Sequence, residues 1–249
     1  MGFSFRPGFL ALAAGLSLAL AACGSKDDPA EPPKAEAIAP IAPPAGQKWA
    51  DIAAETEMGG IVIGNPNAPV KLVEYASHTC PHCAEFSAEA TRPLHDKYVA
   101  SGVVSYELRN QIHDPVDLTI ALLARCNGPA SFQPLAEQAW ADLLQIVQTS
   151  RANADALKAA GAGPEAQRYQ GIAKAAGLID FFAARGVPAE KAMQCLADTS
   201  KASAIFDSSN KQSDELDVTG TPTFFLNGRN IGTHTWQTLE PVLQNAGAR

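Results

Sequence analysis

The chain has 249 residues, of which 46% are hydrophobic and 18% are charged, and its formal net charge at pH 7 is −7. This length and apolar content suffice for a folded domain with a core, and the acidic balance without a basic patch argues against nucleic-acid binding. The chain contains five cysteines, and their spacing carries most of the functional information.

Residues 1–22 predict a lipoprotein signal peptide. Arg6 precedes an apolar stretch, Phe9–Ala22, that is short for a membrane span and ends in small residues. The sequence Leu20-Ala21-Ala22-Cys23 is similar to the lipobox of bacterial lipoproteins, which implies cleavage before Cys23 and lipid attachment to it. The alternative is an ordinary secretory signal peptide followed by a coincidental cysteine. Either signal predicts export to a compartment in which disulfides persist.

The segment after Cys23 predicts a tether. It is rich in proline, alanine and charged residues, has no apolar periodicity, and includes Trp49–Glu57, which could form a short helix. We therefore assign residues 23–57 to a lipidated tether, disordered to about residue 47, that holds the domain away from the membrane. By the lipoprotein sorting rule, Gly24 in place of an aspartate favours the outer membrane. The predicted location is the periplasm, with a lipid anchor in a bacterial membrane.

The motif Cys80-Pro81-His82-Cys83 follows a predicted buried strand, Val70–Ala76, and precedes a predicted helix over residues 84–100. A strand, a short loop, a CxxC motif and a helix in this order are typical of a thioredoxin-like redox motif. Pro81 suits the first turn of a helix. Cys80 would then lie at the positive helix end, where N–H groups and the dipole stabilise a thiolate. Because a stabilised thiolate favours the reduced form, the disulfide is a strong oxidant.

Other uses of a CxxC pair fit this sequence less well. A zinc site needs two more ligands, and neither a second CxxC nor a histidine pair is present. Haem attachment needs a histidine directly after the second cysteine, where this chain has Ala84. A purely structural disulfide with a two-residue spacer would remove little chain entropy. A redox role is therefore the favoured interpretation.

The remaining pattern predicts an α/β fold that a helical segment interrupts. Val103–Leu108 is a predicted strand, and residues 115–214 lack a convincing strand but contain several helical stretches separated by glycine and proline. Phe224–Ile231 predicts a hairpin with an Asn-Gly turn, and Trp236–Asn245 predicts a final helix.

Two segments carry a resemblance to a known family. Glu74–Phe86 (EYASHTCPHCAEF) and Val218–Phe225 (VTGTPTFF) resemble the two signatures of DsbA-type thiol-disulfide oxidoreductases of the thioredoxin superfamily. The resemblance covers residues 58–249. It implies a thioredoxin-like fold, built from residues 58–114 and 215–249, that is interrupted by an α-helical insertion domain over residues 115–214.

The resemblance also implies roles for individual residues. Cys80 would be the attacking, exposed thiol and Cys83 the buried resolving thiol. Pro222 would be cis, and the Thr221 backbone would pair with an extended substrate segment. Glu74 matches the family's buried acid and would exchange a proton with Cys83, a task that suits a carboxyl group with a raised pKa. The alternatives are a solvent-facing strand position for Glu74 and an ordinary trans turn for Pro222.

His82 lies between the two cysteines, where a donor or a positive charge would stabilise the Cys80 thiolate further. In the family, a histidine at this position accompanies strongly oxidising members. The alternative is an exposed histidine with a modest effect. The other four histidines follow no recognisable pattern and are interpreted as structural or exposed: His78, His95, His113 and His234.

Cysteine counting predicts a second disulfide. After a lipidated Cys23 and the CxxC pair, Cys126 and Cys195 remain. A disulfide between them would close a loop of about 70 residues and stabilise the fold by roughly 4 kcal/mol in the chain-entropy model. Some DsbA-type proteins carry a second disulfide in their helical domain, which agrees with this pairing. The alternative is two buried free thiols.

The leading functional hypothesis is a dithiol oxidase without a cofactor or a metal. By family analogy, its partners would be exported proteins with free cysteines and a quinone-linked membrane protein that reoxidises it. A disulfide isomerase or reductase is the second hypothesis, because isomerases often have threonine at the position of Thr221. Isomerases of this group usually carry an N-terminal dimerisation domain, however, and the tether predicted here contains none. The third hypothesis is a Cu(I) carrier that uses the CxxC thiolates with His78 or His82.

Overall fold

The computed structural model describes residue 2 and residues 35–249, so the predicted signal peptide, Cys23 and the first part of the predicted tether lie outside the described residues. A mixed sheet in the order β1-β2-β4-β3-β5-β6 forms the centre of the domain. Its strands are β1 (Ala53–Glu55), β2 (Ile61–Gly64), β3 (Val70–Ala76), β4 (Val104–Asn110), β5 (Thr223–Leu226) and β6 (Arg229–Gly232). The central pair β3–β4 is parallel, and the other described pairs are antiparallel.

Helices cover the sheet, and most of them lie between β4 and β5 in the chain. The first helix continues directly into a π-helical stretch, Leu94–Val99. The helices are α1 (Pro81–Pro93), α2 (Pro115–Arg125), α3 (Pro129–Ala141), α4 (Leu143–Ala152), α5 (Ala154–Gly161), α6 (Glu165–Ala175), α7 (Leu178–Ala183), α8 (Ala189–Leu196), α9 (Thr199–Leu216) and α10 (Trp236–Asn245). Helices α2–α9 form the insertion, as the absence of strand patterns predicts.

The hairpin between β5 and β6 turns at the predicted dipeptide. Asn227 and Gly228 both have positive φ angles, 49° and 81°. Asparagine and glycine tolerate this conformation best, which is why they favour two-residue hairpin turns. The Asn227 side chain also accepts a 2.8 Å hydrogen bond from the Lys71 backbone N–H, which joins the turn to the start of β3.

The domain begins earlier than the sequence predicts. Residues 35–57, which the sequence assigns to the tether, lie against the domain, and β1 joins the sheet. Ile38 and Ile41 donate backbone hydrogen bonds to the carbonyls of Gly247 (2.9 Å) and Ser101 (2.8 Å). We call residues 35–51 the strap. It shows no apolar periodicity because backbone hydrogen bonds and isolated apolar side chains hold it.

Two main apolar cores meet at α1. One lies beneath the helical insertion and includes Cys80, Cys83 and Phe132. The other contains Phe86 on α1 and Trp236 on α10, together with apolar residues of the sheet. The two cysteines therefore lie at the side of α1 that faces the insertion. Among the described helices, none has the length and apolar content needed to cross a membrane.

Candidate active site

Cys80 is the N-cap residue of α1, and Pro81 occupies the first helical position. A hydrogen bond from the Cys83 thiol is the largest of the effects that lower the pKa of Cys80 to about 5. A hydrogen bond from the Thr221 side chain and the backbone N–H groups of Cys83 and His82 act in the same direction, and burial opposes them. Cys80 is only 6% exposed, so the predicted exposure of this thiol is wrong, because the side chain packs against the core beneath the insertion. The start of the helix therefore holds a thiolate at neutral pH, which is the reactive form of cysteine.

Cys83 lies one turn further along α1 and is completely buried. Burial raises the pKa of Cys83 strongly, and the charges of Glu74 and Cys80 raise it further. The two free thiols therefore differ sharply in acidity. Cys80 is suited to attack and to leave as a thiolate, whereas Cys83 retains its proton until a nearby base removes it.

The loop before β5 faces Cys80. The Thr221–Pro222 peptide bond is cis. In its thiol form, Cys80 donates a hydrogen bond from Sγ to the Thr221 carbonyl oxygen across 3.4 Å. The Thr221 hydroxyl oxygen lies 3.4 Å from Nε2 of His113, which precedes α2. The CxxC motif, the cis-proline loop and the start of the insertion thus meet at one place.

Glu74 lies on β3 and is 1% exposed. The Tyr106 hydroxyl on β4 donates a short hydrogen bond to Glu74 Oε2, and Glu74 Oε1 has no partner among the described residues. Burial raises the pKa of Glu74 to about 8, and the charges of Cys80 and Glu137 act in the same direction. At neutral pH Glu74 therefore carries a proton that it can transfer. The solvent-facing alternative for Glu74 is wrong.

His82 does not direct its imidazole at the Cys80 sulfur. The ring is 74% exposed, and its Nδ1 lies 3.0 Å from Glu85 Oε2. The Glu85 carboxylate raises the pKa of His82, which favours the imidazolium. The described contact between His82 and the Cys80 sulfur runs through the backbone N–H instead. The side chain is exposed, as the alternative states, but the charge of Cys80 also raises the pKa of His82, so the stabilisation of the thiolate by this charge stays a prediction.

Asp117, which the sequence analysis did not select, holds the loop in front of Cys80. Its carboxylate is fully buried and accepts hydrogen bonds from the backbone N–H groups of His78 (2.8 Å) and His113 (2.9 Å). His78 Nδ1 lies 3.1 Å from the same carboxylate. The neighbouring Thr79 hydroxyl donates a 2.6 Å hydrogen bond to Asp114 Oδ2. The sequence signal that could have drawn attention to Asp117 is the helix start Asp114-Pro115, since Asp117 lies in the first turn of that helix.

The remaining two described cysteines lie in the insertion. Cys126 and Cys195 form a disulfide with a Cα–Cα distance of 5.9 Å and a sequence separation of 69 residues. It joins the residue that follows α2 to α8. This disulfide cross-links two helical parts of the insertion and uses neither cysteine of the CxxC motif.

Within residues 35–249, no group of three or more histidine, cysteine, aspartate and glutamate side chains is arranged to hold a metal ion. The His78 ring stacks on Trp140 with a centroid distance of 5.5 Å and faces Asp117. His82 pairs with Glu85. Both histidines considered for Cu(I), His78 and His82, are therefore in contact with other side chains.

Comparison with known proteins supports the thioredoxin-like fold and the redox interpretation of the CxxC motif. A family model described as "Thioredoxin" matches residues 56–245. A structure described as a protein-disulfide isomerase from Novosphingobium aromaticivorans is 33% identical, covers 73% of this chain and 94% of that chain, and has a TM-score of 0.68. Wolbachia pipientis alpha-DsbA1 is 20% identical over 75% of this chain and 89% of its own, with a TM-score of 0.59. The predicted thioredoxin-like fold with a helical insertion and the DsbA-type resemblance are confirmed.

Sequence relatives extend the comparison. A Rickettsia felis protein, provisionally named a protein-disulfide oxidoreductase, is 28% identical over 186 residues, which is 75% of this chain and 59% of that relative. The chain spans about three fifths of the length of the curated relatives it matches. Since the family model covers well over half of the chain, the protein belongs to the thioredoxin family.

Proposed function

We propose that this protein is an extracytoplasmic thiol-disulfide oxidoreductase that forms disulfides in exported proteins. The observation that carries the proposal is the difference in acidity between Cys80 and Cys83 at the start of α1. A thiolate stabilised in the reduced state makes the corresponding disulfide an acceptor of electrons. The relatives named as protein-disulfide oxidoreductases agree with this chemistry.

The reaction begins with the Cys80–Cys83 disulfide. A substrate thiolate attacks the Cys80 sulfur, the S–S bond breaks, and Cys83 leaves with the electron pair and takes the proton of Glu74. A second substrate thiolate then attacks the substrate sulfur of the mixed disulfide, and Cys80 leaves as a thiolate. The substrate is oxidised to a disulfide, and the enzyme is reduced by two electrons.

The substrate contact and the reoxidising partner are further parts of this proposal. The Thr221 backbone would pair with an extended substrate segment, and its position beside Cys80 and before cis-Pro222 supports this role. A membrane partner that accepts electrons would return the cysteines to the disulfide. Lipidation of Cys23 would keep the enzyme near such a partner in the periplasm, and mass spectrometry of the native N-terminus tests this anchor.

The Cys80→Ser and Cys83→Ser variants test the proposal. The oxidised wild-type protein should introduce disulfides into a reduced, unfolded substrate protein, and Cys80→Ser should lose this activity completely. Given a substrate protein that already contains a disulfide, Cys83→Ser should instead accumulate a mixed disulfide, because its Cys80 thiolate attacks the substrate disulfide and no Cys83 thiol is present to release the product. Disulfide formation is measured by thiol alkylation and mass. A Cys80→Ser variant with full activity would refute the proposal.

A second candidate, a disulfide isomerase or reductase, rests on Thr221 and on the similarity to the Novosphingobium structure, which is described as a protein-disulfide isomerase. The reduction potential of the Cys80–Cys83 pair, measured in equilibrium with glutathione, separates the candidates. A value near that of strong oxidants, about −120 mV, supports the oxidase, whereas a value near that of thioredoxin, about −270 mV, supports a reductant.

A further inference from the structure

A groove opens in the helical insertion, between the start of α2, helix α6 and helix α9. We call it the insertion groove. Its volume is about 470 Å³, which is within the range of pockets that bind ligands. Its lining includes Ile112, His113, Leu118, Arg168, Tyr169 and Phe206. The groove is therefore large enough to receive one or two side chains of another polypeptide.

The apolar part of the insertion groove combines a fixed floor with an exposed aromatic side chain. Leu118 is buried, and Ile112 and Tyr169 pack against the same core beneath the insertion. Phe206 on α9, in contrast, is 45% exposed. An apolar side chain that entered the groove would be removed from water together with part of Phe206, and this burial is favourable.

The insertion groove begins at the active site. His113 lines the groove, and its Nε2 lies 3.4 Å from the hydroxyl oxygen of Thr221. The carbonyl oxygen of Thr221 in turn lies 3.4 Å from Cys80 Sγ. The path from the Cys80 sulfur through Thr221 to the wall of the groove is therefore roughly 11 Å at most, which about three or four extended residues span. A polypeptide joined to Cys80 that runs in this direction enters the groove.

Charged side chains in the lining restrict the kind of polypeptide that fits. The carboxylates of Asp114, Glu165 and Asp207 line the groove together with the guanidinium of Arg168. Glu165 and Asp207 are exposed at the opening. Because carboxylates outnumber the cation, an acidic segment would be repelled, whereas an apolar segment with neutral or basic neighbours is compatible with this charge.

We propose that the insertion groove binds one flank of an extended substrate segment and selects a large apolar side chain three or four residues from the substrate cysteine. Phe206 is the specificity-determining residue, because it forms the exposed wall against which that side chain packs. The inference rests on the proposed thiol-disulfide exchange, in which the substrate cysteine is joined to Cys80. The preferred substrates are exported proteins that have not yet folded, since folded proteins bury most of their large apolar side chains.

Three peptides, each with one cysteine and no acidic residue, test this selection. Two carry phenylalanine at the third and fourth positions before or after the cysteine, and the third carries alanine at all four positions. The full protein with its Cys80–Cys83 disulfide is mixed with an excess of each peptide, and its reduction is followed by acid quenching, alkylation and mass spectrometry. Two peptide thiols become one peptide disulfide, and both enzyme cysteines are reduced. One of the phenylalanine peptides should react about tenfold faster than the alanine peptide, because its aromatic side chains are buried in the groove.

Variants at Phe206 show whether this preference arises in the insertion groove. The measured quantity is the ratio of the two rate constants, because a general loss of activity slows both peptides alike. Phe206→Ala should lower the ratio to about two or less, and Phe206→Leu, which keeps an apolar wall, should retain most of it. Leu144→Ala is the matched control, since Leu144 is 71% exposed on α4 and does not line the groove, and it should keep the ratio of the wild type.

The outcomes separate the groove from the chemistry. Equal rates of all three peptides with the wild type would overturn the proposed selection, as would a preference that Phe206→Ala leaves unchanged. Failure of every peptide to reduce the wild-type disulfide would instead contradict the proposed thiol-disulfide exchange.

Discussion

At the residue scale, Glu74 couples the stability of this protein to pH. Its ordinary pKa of 4.5 is raised to about 8 on folding, because the carboxyl is buried beside Tyr106. Between these values the unfolded chain has lost this proton and the folded protein still holds it. The contribution of Glu74 to stability is therefore fully present below about pH 4.5 and is lost as the pH rises towards 8.

The Glu74→Gln variant measures this coupling. Glutamine is neutral and can still accept the hydrogen bond from Tyr106, so the variant lacks the pH-dependent loss. Relative to the wild type, its free energy of unfolding should improve by up to about 5 kcal/mol between pH 4 and pH 8. Urea unfolding of the reduced proteins across this range provides the measurement. Parallel pH dependences of the two proteins would contradict the assigned ionisation of Glu74.

The same scale explains which site residues the sequence could identify. Cys80, Cys83 and Glu74 lie in one strand–loop–helix segment, so a local motif is enough to select them. The pairing of His78 with Asp117 joins residues 39 apart in the chain. The Asp-Pro helix start marks the position of Asp117 but does not indicate its partner, and the contact exists because the start of the insertion packs against the loop before α1. For His82, the motif identifies the residue but not the direction of its side chain. The sequence places it next to Cys80, whereas the ring pairs with Glu85 at the surface.

At the element scale, the start of α2 holds both loops of the active site. Asp114 caps the helix by accepting hydrogen bonds from the N–H groups of Val116 and Asp117. With its first turn fixed, Asp117 reaches the loop that contains His78, and His113 reaches the Thr221 hydroxyl. The insertion therefore contributes to the geometry around Cys80 without supplying a cysteine to it.

Removing the Asp117 carboxylate should loosen this connection. In Asp117→Ala, the N–H groups of His78 and His113 lose their buried acceptor, and the free energy of unfolding should fall by about 3 kcal/mol. Thiol-disulfide exchange should slow as well, because the loop before Cys80 is no longer fixed. Urea unfolding and exchange kinetics measure the two effects. Asp214→Ala, an exposed change on α9, is the control, and an equal effect of both substitutions would contradict the role of Asp117.

Sequence patterns predict some elements of this fold well and miss others. The limits of α10 and the hairpin turn at Asn227-Gly228 follow from apolar spacing and from the conformational preferences of two residues. The strap over residues 35–51 could not be found in this way. Its proline-rich composition is typical of a spacer, and its order depends on partners near Ser101 and Gly247, far away in the chain.

At the scale of the whole molecule, the strap holds the first described residues of the domain against its last residues. The backbone N–H of Ala35 donates to the Asn245 carbonyl, and the Arg249 side chain donates to the Ala35 carbonyl. Trp49 is 7% exposed, and its indole N–H donates a 2.7 Å hydrogen bond to the Ile41 carbonyl. Folding of the domain therefore includes residues that the sequence assigns to a tether.

Trp49→Ala tests whether the strap is part of the cooperative fold. Loss of this buried side chain should lower the free energy of unfolding by about 3–5 kcal/mol, and Trp49→Phe, which keeps most of the packing, should lose only about 1 kcal/mol with the hydrogen bond. Urea unfolding gives both values, and an unchanged stability of Trp49→Ala would mean that the strap is not part of the fold.

Activity provides an independent measurement on the same variants. The strap contacts Ser101, just before β4, whereas Cys80 follows the other end of the parallel neighbour β3. Because β3 and β4 run side by side, these two places lie at opposite edges of the sheet. In conditions where Trp49→Ala remains folded, its rate of thiol-disulfide exchange should equal that of the wild type. A slower rate in the folded variant would show that the strap influences the active site through the sheet.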